Sequence, residues 1–151
     1  MGLETVTQGE FAGWETWTDE PFEYEAAGPF YKRVDEKGPV AAFRAQRKHM
    51  NMGGVVHGGC LMTFADYSLF ALAVDDASAY GATIAFNAEF LDGAKEGELI
   101  EARGEVLRAG RSITFVRGLV TANGRPVLNF SGTIKKNHKA FIDHKAETGA
   151  G

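Results

Sequence analysis

The sequence predicts an α+β fold in which a curved antiparallel sheet of five to six strands wraps around one long buried helix. Three observations predict it. Residues 60–74 contain neither Gly nor Pro and are rich in Ala, Leu, Met and Phe, a composition that favours helix. The apolar side chains of that segment, among them Leu61, Met62, Phe64, Ala65, Leu69, Phe70, Leu72 and Val74, point in every direction around the axis. A helix apolar on all sides belongs in a core, and at about 24 Å for some 16 residues it is too short for a membrane span. The third observation is a set of β-patterned runs joined by short turns, which demand antiparallel pairing. A sheet curled around the helix buries the apolar face of both.

In chain order, residues 1–29 are weakly patterned, with Trp14, Trp17, Phe22 and Tyr24 scattered among acids, and read as a short helix or an ordered arm. Residues 30–33 and 40–45, separated by a turn that carries Asp35, Gly38 and Pro39, form a hairpin. A glycine-rich loop over 51–59 leads into the helix. Asp75 and Asp76 end the helical pattern, and a strand follows over 83–91. After the turn residues Asp92, Gly93, Glu96 and Gly97 come three more strands. In the first, Ile100, Ala102, Gly104 and Val106 face one way while Glu101, Arg103 and Glu105 face the other. The second covers 113–120, and the third, after Asn123-Gly124, aligns Leu128, Phe130 and Ile134 on one face. The main domain is thus expected over 30–140, with the arm before it and a mobile tail of small and polar residues over 141–151.

Composition excludes several classes. At 151 residues the chain suits one domain with a full core. A net charge of −4 with the signs interspersed leaves no basic footprint for nucleic acid. No apolar leader run appears near the N-terminus, so a cytoplasmic protein with no membrane partner is expected. The single cysteine, Cys60, rules out an internal disulfide and a thiolate metal cluster, and reads as a small buried apolar residue. The histidines His49, His57, His138 and His144 show no helical pairing, and no metal is expected. There is no Gly-x-Ser-x-Gly elbow, phosphate loop or dinucleotide fingerprint.

What remains is Asn51, His57, Gly58, Gly59 and Asp66. Asp66 stands in the middle of the buried helix, and no Lys or Arg occurs from His49 to Ala94 to pair with it. An unpaired buried carboxylate is costly, so its presence calls for a function. Gly58 and Gly59 open the helix, where free backbone N–H groups and the positive end of the dipole attract developing negative charge. Lacking Cβ, they let a ligand oxygen reach the backbone, as in an oxyanion hole; they also suit a tight helix entry. Asn51 has an amide hydrogen for the same oxygen, or it satisfies the loop backbone. His57 orients Asn51, protonates a leaving group or caps the helix. Thr83, at the start of the next strand, has a hydroxyl that can hold a water. An oxyanion site with a carboxylate base is what hydrolysis of an activated acyl group requires. Gly58 and Asp66 are separated by about 12 Å along the helix axis, too far to serve one carbonyl from one chain. Two helices antiparallel across a twofold axis bring each Gly58 to its partner's Asp66, so a homodimer with shared sites is expected.

The run Asn51-x-x-Gly54-x-x-His57-Gly58-Gly59, followed seven residues later by Asp66, resembles the hotdog-fold acyl-CoA thioesterases of the PaaI-like (phenylacetate-pathway) group. The resemblance extends from about Gly28 to Asn137 and includes the strand that begins at Gly81 and the hairpin from Leu107 to Ser112. It implies a hotdog fold, edge-to-edge dimers that often pair into tetramers, and no cofactor, coenzyme A being part of the substrate. It also implies Asp66 as base or nucleophile, Gly58 N–H and Asn51 as carbonyl polarisers, His57 as their support and Thr83 as an aid in placing water. The expected reaction is hydrolysis of an aryl or medium-chain acyl-CoA, with Gly59 lining the site. Arg108, Arg111, Lys135, Lys136 and Lys139 are the candidates for the coenzyme A phosphates, and each also suits a solvated rim. The alternatives are a hotdog hydratase or dehydratase and a non-catalytic acyl-CoA sensor; a buried carboxylate speaks against the sensor.

Overall fold

The computed structural model of the chain describes residues 2–73 and 81–137. Eight strands run antiparallel in one sheet: β1 (Leu3–Thr5), β2 (Glu15–Trp17), β3 (Tyr31–Asp35), β4 (Gly38–Arg44), β5 (Ala82–Phe90), β6 (Leu99–Ala109), β7 (Ile113–Ala122) and β8 (Arg125–Lys135). Their spatial order is β1-β2-β3-β4-β6-β7-β8-β5. The helix α1 (Gly58–Leu72) lies across β4, β6, β7, β8 and β5. The acids Asp75 and Asp76, the tail, His138, His144 and Lys139 fall outside the described residues.

Six of these strands are the expected ones, and their turns follow from local chemistry. Asp35 pairs with Gly38, so the β3–β4 turn holds only Glu36 and Lys37 and is tighter than the sequence suggests. Asn123 and Gly124 both take positive φ, 48° and 83°, which matches the right-handed twist of a two-residue hairpin between β7 and β8.

The other two strands come from the arm, so the sheet has eight strands where five or six are expected. β1 and β2 are three residues each, too short to show alternation in the sequence. Long-range packing holds them: the Phe11 ring stacks on Tyr31 at 4.1 Å, and Phe11 and Trp14 cover Val40 and Ala42. Those two residues of β4 face away from α1, while Ala41 and Phe43 join the main core beneath the helix. Between β2 and β3 the arm makes a single wide helical turn, Pro21–Ala26.

The main core is aromatic at one end. Phe30, Phe43 and Phe64 contact one another with ring centroids 4.8–5.2 Å apart, and Tyr67 packs against Phe30. Elsewhere α1 approaches β8 closely because residue 132 is glycine; a Cβ there would lie 2.4 Å from Leu69 Cδ1.

Burial of α1 on all sides is not what a single chain provides. Leu61, Phe64, Ala65, Tyr67, Ser68, Leu69, Ala71 and Leu72 are buried. Gly59, Met62, Thr63, Asp66 and Phe70, which recur about once per helical turn, form a stripe that stays at least partly exposed. The sheet curls around one side of the helix and leaves this stripe open. β5 ends the sheet with a strand neighbour on one side only, and Ile84 and Phe90 on it are more than half exposed. No helix among the described residues is long and apolar enough to cross a membrane.

Candidate active site

The loop before α1 is built by Asn51. Met50 and Val56 pair as an isolated bridge, Asn51 N–H donates to the Val55 carbonyl at 2.8 Å, and Gly54 takes positive φ, 81°, to close the bend. The side-chain Oδ1 of Asn51 accepts from Gly53 N–H at 2.9 Å and from Val55 N–H at 3.2 Å. That carbonyl therefore holds the loop, and the amide NH2 is left to donate outward from an exposed position.

His57 is the N-cap of α1, and its Nδ1 accepts from Gly59 N–H at 2.9 Å. Its backbone carbonyl accepts from Cys60 N–H at 2.9 Å and Leu61 N–H at 3.1 Å. Of the N–H groups that open the helix, Gly58 is the one left without an acceptor among the described residues. Both glycines enter the sequence reading as oxyanion donors; the structure engages the N–H of Gly59 in the cap and leaves that of Gly58. Phe90 stands over it, since a Cβ at residue 58 would lie 3.1 Å from two atoms of the Phe90 ring.

Asp66 lies two turns further along, partly exposed on the open stripe. Thr83 Oγ1, from the start of β5, donates to Asp66 Oδ1 at 2.6 Å. The hydroxyl expected to hold a water thus gives its hydrogen to the carboxylate and orients it. Among the described residues no cation pairs with Asp66.

The structure sorts the sequence-derived residues into two groups. Asn51 holds the loop that leads into α1, and His57, Gly58 and Gly59 form the helix entry, with Phe90 over Gly58. Asp66 and Thr83 sit at the other end of β5, beside the sheet end where Lys135 pairs with Ala82. Arg108 and Arg111 flank the nearby β6–β7 turn, and both are exposed, as is Lys135. Arg44, Arg103, Arg117 and Arg125 are engaged with Glu10, Asp35, Glu105 and the Asp92–Glu98 pair. Lys136 Nζ donates to the Gly110 carbonyl at 2.7 Å.

Two residues escape the sequence reading. His49 is buried, its Nδ1 accepting from Gln46 N–H at 2.9 Å and its Nε2 donating to the Ala27 carbonyl at 2.7 Å. Burial holds its pKa below the ordinary imidazole range, so it is a neutral strut between arm and loop. Glu23, on the turn Pro21–Ala26, is half-buried; burial, then the charges of Glu20 and Asp66, push its carboxyl up to about 7. In the sequence it is one acid in a run with Glu20 and Glu25, which looks like a solvated face. Cys60 is half-buried, and burial pushes its thiol up to about 11, which keeps it from acting as a thiolate. Among the described residues no group of three His, Cys, Asp or Glu side chains is placed to hold a metal.

Comparison with known proteins places this geometry. The sequence pattern of the Thioesterase superfamily matches residues 53–128, which contain the loop end, α1, β5 and the strands beside it. The Pseudomonas aeruginosa protein PA0474, which carries an esterase name, is 32% identical over 108 residues, 70% of this chain and 81% of that one. Human acyl-coenzyme A thioesterase 13 is 30% identical over 77 residues, 50% of this chain and 55% of the human one. Among solved structures, a single-residue mutant of the phenylacetic acid degradation protein PaaI from Thermus thermophilus is 27% identical with a TM-score of 0.66, covering 78% of this chain and 100% of its own. A family pattern over half the chain, an esterase-named relative matched along most of both lengths and the shared helix-in-sheet architecture make this chain a member of the thioesterase superfamily with a hotdog fold.

Proposed function

We propose that this chain hydrolyses an acyl-CoA thioester to a free acid and coenzyme A. The observation that carries the reading is the unengaged Gly58 N–H at the start of α1, combined in one thioesterase-superfamily chain with a carboxylate oriented by Thr83. The thioester carbonyl oxygen accepts from Gly58 N–H and from the free amide hydrogens of Asn51, and both bonds strengthen as the oxygen gains charge. Asp66 removes a proton from water as that water adds to the carbonyl carbon, or attacks the carbon itself to form an anhydride. In either path the C–S bond breaks with its electron pair on sulfur and coenzyme A leaves. In the second a water then hydrolyses the anhydride, which frees the acid and restores Asp66. The proton released from water ends on the thiolate. The name of the human relative supports coenzyme A as the thiol, and the exposed Arg108, Arg111 and Lys135 are its phosphate ligands in this reading. Aryl and medium-chain acyl groups are the substrates we favour.

The site is completed by a second copy of the chain. One helix holds Gly58 and Asp66 about 12 Å apart along its axis, so antiparallel helices must supply them in trans. The open stripe on α1 and the free edge of β5 lie where such a partner would sit, and dimers of this kind can pair again into tetramers. The test is release of free thiol from a panel of aryl and medium-chain acyl-CoA substrates, read with a thiol reagent. Turnover on at least one is expected, and a silent panel overturns the reading. In the same assay Asn51→Ala is expected to lower kcat roughly ten- to a thousandfold with a smaller rise in KM, the mark of a donor that counts most in the transition state. A pure KM effect would instead make Asn51 a positioning residue.

A further inference from the structure

We propose that Phe90 is a specificity-determining residue: its ring is a wall beside the oxyanion donor that admits unbranched acyl groups and turns away those branched at the carbon next to the carbonyl. The proposal rests on the reading of Gly58 N–H as that donor, and it needs only one chain, since Phe90 and Gly58 meet within it.

The place of the ring follows from the pleat of β5. Side chains two apart on a strand share a face, and Phe86, Ala88 and Phe90 are two apart on β5. Phe86 and Ala88 pack against the main core. Glu89 points to the opposite face, where its Oε1 accepts from Asn129 Nδ2 at 3.3 Å. Phe90 carries the inner face one step past the core, and what lies beneath its ring is Gly58. A Cβ on residue 58 would stand 3.1 Å from two ring atoms, so the ring rests on the helix entry in the space that glycine leaves. The rest of the side chain stays open, for Phe90 is 56% exposed. Such a ring adds little to the core and keeps most of its apolar surface for a ligand.

The strand end that carries the ring is fixed. Leu91 N–H donates to the Val127 carbonyl at 2.9 Å. Arg125 binds the carboxylate of Asp92 at 2.9 Å and the carbonyl of Gly93 at 2.7 Å. Val56 N–H donates to the Ala94 carbonyl at 2.7 Å, and Gly93 lies so close to Val55 that a Cβ there would be 2.9 Å from Val55 Cγ1. The end of β5 is thereby tied to the loop that Asn51 holds. Ring and donors keep one spacing, as a size filter requires.

That spacing selects by shape. A carbonyl oxygen accepts from an N–H at about 2.9 Å and stands about 1.2 Å from its own carbon, so the acyl carbon lies within roughly 4 Å of the Gly58 nitrogen. A group on that carbon is then beside the ring that covers Gly58. The two hydrogens of an unbranched α carbon can lie along the ring. A methyl in place of one of them must displace the ring or lift the oxygen from its donor, and either is costly in a close-fitting site. Farther from the carbonyl the wall is softer. Met62, about one turn along the open stripe from Gly58, is 38% exposed, and its unbranched side chain adapts to what it meets.

The test compares kcat/KM, by thiol release, for isomers that differ only in where one methyl sits. The straight-chain pair is α-methylhexanoyl-CoA and the isomer with that methyl at the far end of the chain. The aryl pair is α-methyl-phenylacetyl-CoA and para-methyl-phenylacetyl-CoA. In each pair that it hydrolyses, the wild type is expected to prefer the far-end isomer by on the order of tenfold or more, the discrimination one methyl yields in an apolar site. In Phe90→Ala that preference is expected to shrink about tenfold, through a gain on the α-methyl substrate. Phe90→Leu, which keeps apolar bulk at the strand end without the flat ring, falls between the two. A wild type without the preference overturns the proposal, and so does a preference that neither variant moves. Equal losses on both isomers also overturn it, because they mark a support of the helix entry and not a filter. Should Phe90→Ala not fold, Phe90→Leu decides the matter. A wild type that releases thiol from no acyl-CoA overturns the underlying reading of the reaction instead.

Discussion

Asp66→Asn is expected to keep the fold and lose most of the turnover, with kcat falling on the order of a hundredfold or more. The amide has the size and shape of the acid, and its Oδ1 still accepts from Thr83 Oγ1, the one hydrogen bond that orients Asp66 among the described residues. What it lacks is affinity for a proton and a negative charge with which to attack carbon. Removing a partly buried charge with no cation beside it also relieves the helix, so the melting temperature should hold or rise. Thiol release and a thermal melt on the same preparation check both halves. Near-wild-type hydrolysis would remove Asp66 from the reaction altogether.

The second large effect is a recovery of activity. Asp66→Ala and Asn51→Ala subunits, each impaired at least about tenfold alone, are unfolded, mixed and refolded together. In a mixed dimer the Asn51 and Gly58 of one chain meet the Asp66 of the other, which makes one intact site and one site damaged twice. Random pairing puts half the dimers in the mixed class, so about a quarter of wild-type activity should return. If subunit exchange is confirmed and the mixture stays as inactive as its parents, the groups act within one chain. The helix carries this expectation by its rise alone, and the stripe Gly59, Met62, Thr63, Asp66 and Phe70 adds a surface on which the partner helix would lie.

Local signals carried far in this sequence. Asn123-Gly124 marks its hairpin because few residues tolerate left-handed backbone, and the structure places both of them there. The helix over 58–72 is announced by the composition of 60–74, although it starts at the two glycines and ends before Ala73, and the unpaired acid within it is announced by the absence of nearby Lys and Arg. What stayed hidden depends on contacts between distant parts of the chain. β1 and β2 are too short to carry a period and exist because Phe11 and Trp14 find the outer face of β4. Glu23 looks like any surface acid until the arm folds back onto α1. The open stripe is hidden for another reason: apolar residues on every side of a helix announce burial, but they do not say whether the burying surface belongs to the same chain.

The loop that leads into α1 also decides which atoms of its side chains face the substrate. Two backbone N–H groups take the oxygen of Asn51, which settles the flip of that amide. One takes Nδ1 of His57, so the neutral ring carries its hydrogen on Nε2 and the tautomer is settled as well. Both side chains have their lone pairs turned inward and their hydrogens outward, beside a glycine whose N–H is also a donor. The helix entry thereby turns hydrogens rather than lone pairs outward, receptive to a carbonyl oxygen and unreceptive to an ammonium group. The acceptor chemistry is kept at the far end of the same helix, with Asp66, so each chain separates the two polarities by the length of two helical turns.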